Sequence, residues 1–250
     1  MTLEQLQKLF PDASNETWHQ HPNGGGWVQN TAFVAVNAFI EEDAKVSGDA
    51  KVFGNASVFG NASVFGNARV YGNARVYGNA VVYGNARISG NAEVYGDASV
   101  YGDARVYGNA WVSGNAEVFG NSWVYGDAKV YCNAWVSGNA WVSGNARVSG
   151  NAEVYGNAKV YGSAWVIGNA NISGNAWDKS PLQIQGSRHF LNMASKTILK
   201  IGCYEKTIQE WLEQYETIGK KEGYTEQEIE EYLKYIQLFK TLSQNCFGLS

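Results

Sequence analysis

From Asn30 to Lys179 the chain repeats one six-residue pattern of small, variable and branched positions without an insertion. Its clearest copies read Gly-Asn-Ala-X-Val-Tyr, as in Gly72-Asn73-Ala74-Arg75-Val76-Tyr77. The small position holds Ala in every hexad except at Ser122, and the position two later holds Val or Ile in all but the last, Asp178. From Gly48 to Gly174 the first position is Gly except at Cys132. A fixed internal period is the primary fact about such a chain. Ala-X-Val puts a small residue in, a variable one out and a branched one in, which is the period of a short strand. Gly-Asn then breaks the strand, because both residues tolerate the left-handed backbone of a sharp corner. Strands this short cannot build hairpins. They suit a coil in which each hexad makes one flat side, three sides close a triangular turn of about 18 residues, and successive turns pair edge to edge. The corner glycines should take positive φ. Cys132 breaks the rule, and Asn133 is expected to accommodate it.

The flanks read differently. Residues 1–29 are expected to form an N-terminal cap. Leu3, Leu6, Leu9 and Phe10 fall on one side of a short helix that Pro11 ends. Trp18-His19-Gln20-His21 then runs into Gly24-Gly25-Gly26 and Trp27. The three glycines lack the Lys-Ser/Thr of a phosphate-binding loop, and His19 and His21 lack a third metal ligand, so a capping loop is the better reading. Phe33 and Phe39, on normally outward positions, are expected to pack under the helix. Residues 180–250 form an α+β segment. Leu182–Gln185, His189–Asn192 and Ile198–Ile201 read as strands, and about 205–219 as a helix ended by Gly219 and Gly223. A Thr225–Glu228 capping box opens a second helix to about Leu242. This segment is expected to cap the open end of the array, to bind a partner, or both.

The spacing Val-X-X-X-Ala-X, as in Val76-Tyr77-Gly78-Asn79-Ala80-Val81, resembles the hexapeptide repeat of left-handed parallel β-helices. The resemblance covers residues 30–179. It implies a left-handed parallel β-helix of about eight coils. The family includes trimeric acyltransferases, γ-class carbonic anhydrases and non-catalytic assembly proteins, so the fold alone does not choose a function. The GNA-type hexads and the tail together resemble uncharacterised bacterial and phage array proteins, which implies a phage or mobile-element source. One departure stands out: the position after the aliphatic residue is often small or acidic in the family, whereas here it is mostly Tyr, Phe or Ser.

Stacking turns the hexads into three faces, since residues one coil apart should lie roughly 4.8 Å above one another. The first face presents Phe33, Lys51, Arg69, Arg87, Arg105, Trp123, Trp141, Lys159 and Trp177, flanked by aromatics that include Tyr71 and Tyr107. The second, from Phe39 to Trp165, is mixed. The third, from Lys45 to Asn171, is nearly neutral to acidic. Four successive cations in register repel one another. They can stack on Tyr71 and Tyr107, or meet an anionic partner. Six of the nine tryptophans, from Trp111 to Trp177, fall on outward positions, and a large outward aromatic surface points to an interface. The candidate binding residues are therefore Lys51, Arg69, Arg87, Arg105, Tyr71, Tyr107, Trp123 and Trp141.

Chemistry has less support. Hexapeptide acyltransferases use a histidine as general base beside a coil, and the carbonic anhydrase relatives hold a metal on three. Here His19, His21 and His189 all lie outside the array. Asp49, Asp97, Asp103 and Asp127 stand where other hexads have the corner Asn, so they read as corner substitutes. No catalytic residue, metal site or cofactor is expected. A net charge of −4 gives no general reason to expect nucleic acid. Three scattered cysteines (Cys132, Cys203, Cys246), no membrane-length apolar run and no signal peptide point to a reducing, cytoplasmic setting. The expected function is a non-enzymatic, oligomeric interaction or scaffold protein, with a trimer favoured by the resemblance and a protein partner a further option. Two alternatives stay open: a binding protein that captures an anionic small molecule or nucleotide between subunits, and a divergent acyltransferase.

Overall fold

The computed structural model describes residues 1–247, with side chains described as far as Ser243, so the side chain of Cys246 lies outside the described residues. The hexads form a parallel β-solenoid. Nearly every hexad gives one two-residue strand, and the strands sort into three sheets, each taking every third hexad. The register is in phase: Arg75 pairs with Glu93 and Val76 with Val94. Each coil donates to the next, with the N–H of Arg75 bonded to the carbonyl of Ala92 at 2.9 Å and that of Tyr77 to Val94 at 2.9 Å. The corners are bonded too, Asn73 N–H to Gly90 at 2.8 Å, so the backbone stays satisfied around the triangle.

The interior is two repeated columns. Ala74 and Val76 are fully buried while Arg75 between them is exposed, and the same alternation holds along the array. Fully burying one such valine contributes about 1.5–3 kcal/mol. Ser122 sits in the alanine column and is also fully buried. Its hydroxyl donates to the carbonyl of Phe119 at 2.7 Å and lies 3.2 Å from that of Val136, so it makes no unpaired polar group. The corner glycines have positive φ, for example Gly78 at 71°. A Cβ there would also lie 3.0 Å from the backbone nitrogen of Gly96 in the next coil, so stacking as well as conformation demands glycine.

Three local expectations need correction. At position 132 the cysteine itself takes φ 62°, and Asn133 does not absorb the strain. In the last coil the frame slips by one residue. Asn175, at φ 63°, turns the corner in place of Gly174, and Lys159 and Val160 pair with Ala176 and Trp177. Trp177 therefore occupies the valine column, 1% exposed, and is not an outward residue. Asn can turn this corner because its short polar side chain tolerates the left-handed region. Phe33 and Phe39, finally, do not lie under the N-terminal helix: they are 57% and 36% exposed.

The N-terminal helix α1 (Leu3–Leu9), capped by Thr2, instead buries Leu6 against Trp18 and Trp27. Trp18–Gln20 and Trp27–Gln29 make an antiparallel hairpin, and Trp27–Gln29 adds the first strand of the third face. The loop between them closes the open edge of the second face: Gly26 N–H donates to Ile40, Ile40 N–H to Asn23, and the Asn23 amide to Ala38. Gly24, at φ 110°, passes so close that a Cβ would sit 2.3 Å from the Ile40 carbonyl oxygen. The histidines here are structural: His19 Nδ1 lies 2.7 Å from Asn30 Oδ1, and His21 is buried against Asn23.

At the other end, four antiparallel strands (Gln183–Gln185, Phe190–Met193, Ile198–Ile201 and Tyr204–Thr207) pack on the last coils, with Asn192 Nδ2 bonded to the Asn171 carbonyl at 2.7 Å. The fourth strand takes residues expected to begin a helix. Helix α2 (Ile208–Lys221) starts later, at a Thr207–Glu210 capping box. Gly219 lies inside it, where a Cβ would meet Ile229 of α3 (Glu226–Phe247) at 2.8 Å, so this glycine lets two helices approach. Among the described residues no helix is long and apolar enough to cross a membrane.

Candidate functional site: cations and aromatic rings on the solenoid faces

The parallel register fixes where outward side chains go. On the first face Lys51 pairs with Arg69, Arg69 with Arg87, and Arg87 with Arg105, so the four cations form one column. Lys51, Arg69 and Arg87 are exposed and Arg105 is half-buried. Among the described residues no carboxylate lies within 4.0 Å of any of them, whereas on the second face Arg75 pairs with Glu93 at 3.4 Å.

The column ends on tryptophan. The guanidinium of Arg105 lies 4.8 Å above the Trp123 ring. Trp123 stacks on Trp141, with centroids 5.2 Å apart and planes at 11°. The ammonium of Lys159 lies 4.6 Å from the far side, over Trp141. Cation, ring, ring and cation thus form one stack, each ion on the negative face of an indole. Both tryptophans are half-buried by it.

Tyr71 and Tyr107 hold the adjoining edge in a different way from that expected. Tyr71 stacks on Phe53 at 5.0 Å and 4°, and Tyr107 on Tyr125 at 5.0 Å and 2°. Ser89 and Ser143 interrupt this column, so it is two short piles. Burial, with Tyr125 beside it, raises the Tyr107 hydroxyl above its ordinary pKa. The guanidinium of Arg105 lies over Trp123, and its charge also reaches the Tyr107 hydroxyl, where it opposes the rise. All eight candidate residues thus share one face and its edge.

A second constellation escaped the sequence reading. On the second face Trp111, Lys129, Arg147 and Trp165 follow in register. Lys129 lies 4.0 Å from the Trp111 ring and Arg147 lies 4.8 Å from Trp165. Two neighbouring cations therefore sit between two indoles, beside a groove of about 280 Å³ that Asn109 and Asp127 also line. The signal was present in the 18-residue alignment, but counting charge by sign hid it, because Glu93 and Arg75 on the same face make the total look mixed.

The other edges carry aromatic piles tied to acids. Phe59, Tyr77 and Tyr95 stack beside the second face, and Phe65, Tyr83, Tyr101 and Phe119 beside the third. Tyr77 donates to Glu93 and Tyr101 to Glu117, each at 2.8 Å. Burial first, and the bonded carboxylate second, push both phenols well above their ordinary pKa. Among the described residues no three His, Cys, Asp or Glu side chains converge on a metal position.

A family model described as the YdcK beta solenoid repeat matches residues 68–84, 86–102 and 98–114. Over these central coils the chain is similar to that repeat. No curated protein matches the chain.

Proposed function

We propose that this β-solenoid protein is a non-enzymatic interaction element whose first face docks against another protein surface, in the first instance a second copy of the chain. The observation that carries the reading is the Arg105–Trp123–Trp141–Lys159 stack continued by Lys51, Arg69 and Arg87. The stack holds two indoles rigid at low entropic cost, which suits interface anchors. Among the described residues no carboxylate pairs with the cation column, and its steps of roughly 5 Å lie well inside a Debye length of about 8 Å. An acidic partner surface relieves that repulsion. A closed trimer is the symmetric form this reading favours. An enzyme is disfavoured because the outward positions hold no histidine and the two N-terminal histidines are committed to the cap.

The test is the mass of the protein in solution, with any co-purified ligand, by native mass spectrometry and sedimentation. The Trp123→Ser/Trp141→Ser double variant should weaken assembly, and Arg87→Glu should change it in a salt-dependent way. A wild-type monomer, or an oligomer indifferent to both variants and to salt, counts against the reading.

A second reading rests on the groove of the second face. The groove lined by Trp111, Lys129 and Arg147 suits a small planar anion such as a nucleotide, its phosphate on the two cations and its ring beside Trp111. Calorimetry with a nucleotide panel should then give heat that Arg147→Glu abolishes. Absence of heat across the panel removes this option.

A further inference from the structure

The C-terminal cap holds a pocket of about 50 Å³ between its sheet and its two helices, remote from the solenoid faces. Its floor is apolar: Ile201, Trp211, Ile229 and Ile236 are each at most 9% exposed. Two pairs of perpendicular rings wall it. Tyr204 meets Trp211 at 81°, and Tyr224 meets Tyr232 at 77°. Perpendicular pairs turn different ring faces and edges toward one space, so a small group inside can touch π-faces.

A carboxylate stands at the mouth. Glu222, exposed there, accepts the Tyr204 hydroxyl at 2.7 Å. Glu222 is also the C-cap of α2, so the carbonyl end of that helix opens on the same side. Two cations already sit near the outer rings: Arg188 lies 4.6 Å from the Tyr224 centroid and Lys221 5.9 Å from that of Tyr204. Both have other bonds, Arg188 to Glu228 at 3.6 Å and to the Gly223 carbonyl, and Lys221 to the Tyr204 hydroxyl at 3.4 Å. They show that these rings attract positive charge, and they leave the pocket itself unfilled.

We propose that this pocket binds a primary alkylammonium group, its methylene stem against Ile201, Ile229 and Ile236 and its charge at the mouth beside Glu222. The stem gains burial on the dry floor. The ammonium stays near solvent, next to a carboxylate, a helix C-terminus and ring faces, so no charge is stranded in an apolar site. A carboxylate head would meet Glu222 and the helix carbonyls. A neutral alcohol of the same shape would gain the floor and lose the charge interactions.

The full-length protein can be titrated by NMR with butylammonium, butan-1-ol and butyrate. The amine should give saturable shifts on the floor residues and bind about five-fold or more tightly than the alcohol. Glu222→Gln should bring the two probes level, and Ile218→Trp, which fills the pocket, should remove both. Because Glu222 also holds Tyr204, the Tyr204→Phe variant serves as control: it keeps the carboxylate and should keep the preference for the amine. Diaminobutane and the amide of Nα-acetyl-lysine separate a free amine from a lysine side chain of another protein. Tighter binding of either supports the proposal and assigns the source. Equal binding of amine and alcohol, tighter binding of butyrate, a preference that survives Glu222→Gln, or no saturable shift with any probe overturns it.

Discussion

The side-chain amide of Asn79 donates to the carboxylate of Asp97, 2.9 Å away and one coil further on. It is one rung of a ladder that climbs each corner, because an amide both accepts from the coil below and donates to the coil above. Asn55, Asn73, Asn91 and Asn109 climb another corner and end on Asp127. Asp103 ends a third, accepting from Asn85 at 3.0 Å. An aspartate accepts but cannot donate, so each ladder stops where it sits.

Asp97→Asn should join two ladders, since Asn115, Asn133, Asn151 and Asn169 already continue the same corner above the gap. The expected gain is about 0.5 kcal/mol, the low end for a neutral hydrogen bond because the corner is exposed. It is read as a higher denaturant midpoint at unchanged slope. A lower midpoint would mean that the aspartate has a role the ladder does not describe.

Val76→Asp places an unpaired carboxyl in a fully buried column and should cost several kcal/mol, at least about 3. Arg75→Ser, one residue away, removes an exposed pair with Glu93 and should cost about 1 kcal/mol or less. Thermal melts of the two variants decide it. Similar losses would refute the assignment of inward and outward positions.

Cys132→Gly should stabilise the array by about 1–2 kcal/mol, the usual cost of a side chain in the left-handed region. The cysteine is exposed and unbridged, so its removal breaks no disulfide. Chemical denaturation of wild type and variant under reducing conditions measures the difference. A loss of stability would show that the thiol makes a contact worth more than the strain.

Tyr77 and Tyr101 should contribute to the alkaline limit of stability. Their phenols have native pKa values raised by burial and then by Glu93 and Glu117, against 10.0 without those surroundings. The native state therefore keeps protons that the unfolded chain loses. Their contribution is complete below about pH 10 and falls as pH rises toward the native values. Melting temperature should drop through that window, with tyrosinate absorbance appearing as the protein unfolds. In Tyr77→Phe/Tyr101→Phe the drop should be shallower, and an identical slope would exclude these two phenols as its source.

The coil, the inward columns and the face of Lys51, Arg69, Arg87 and Arg105 were legible in the residues, because a strict hexad permits one register. Shifting a strand by one residue would bury Arg75 and expose Val76, and each further coil would repeat that cost. The ends were less legible because there the period fails and long-range packing decides. Trp177 looked outward by its place in the hexad. Only the fit of Asn175 in the corner, beneath the C-terminal sheet, made it a core residue. Phe33 and Phe39 lost their expected cover because α1 found Trp18 and Trp27 instead. Ring contacts were likewise beyond the sequence: it put Arg105 beside both Tyr107 and Trp123, and side-chain geometry placed the guanidinium over the indole. The pocket beneath Tyr204 and Tyr224 belongs wholly to tertiary structure, since its walls come from two strands and two helices whose meeting no local pattern specifies.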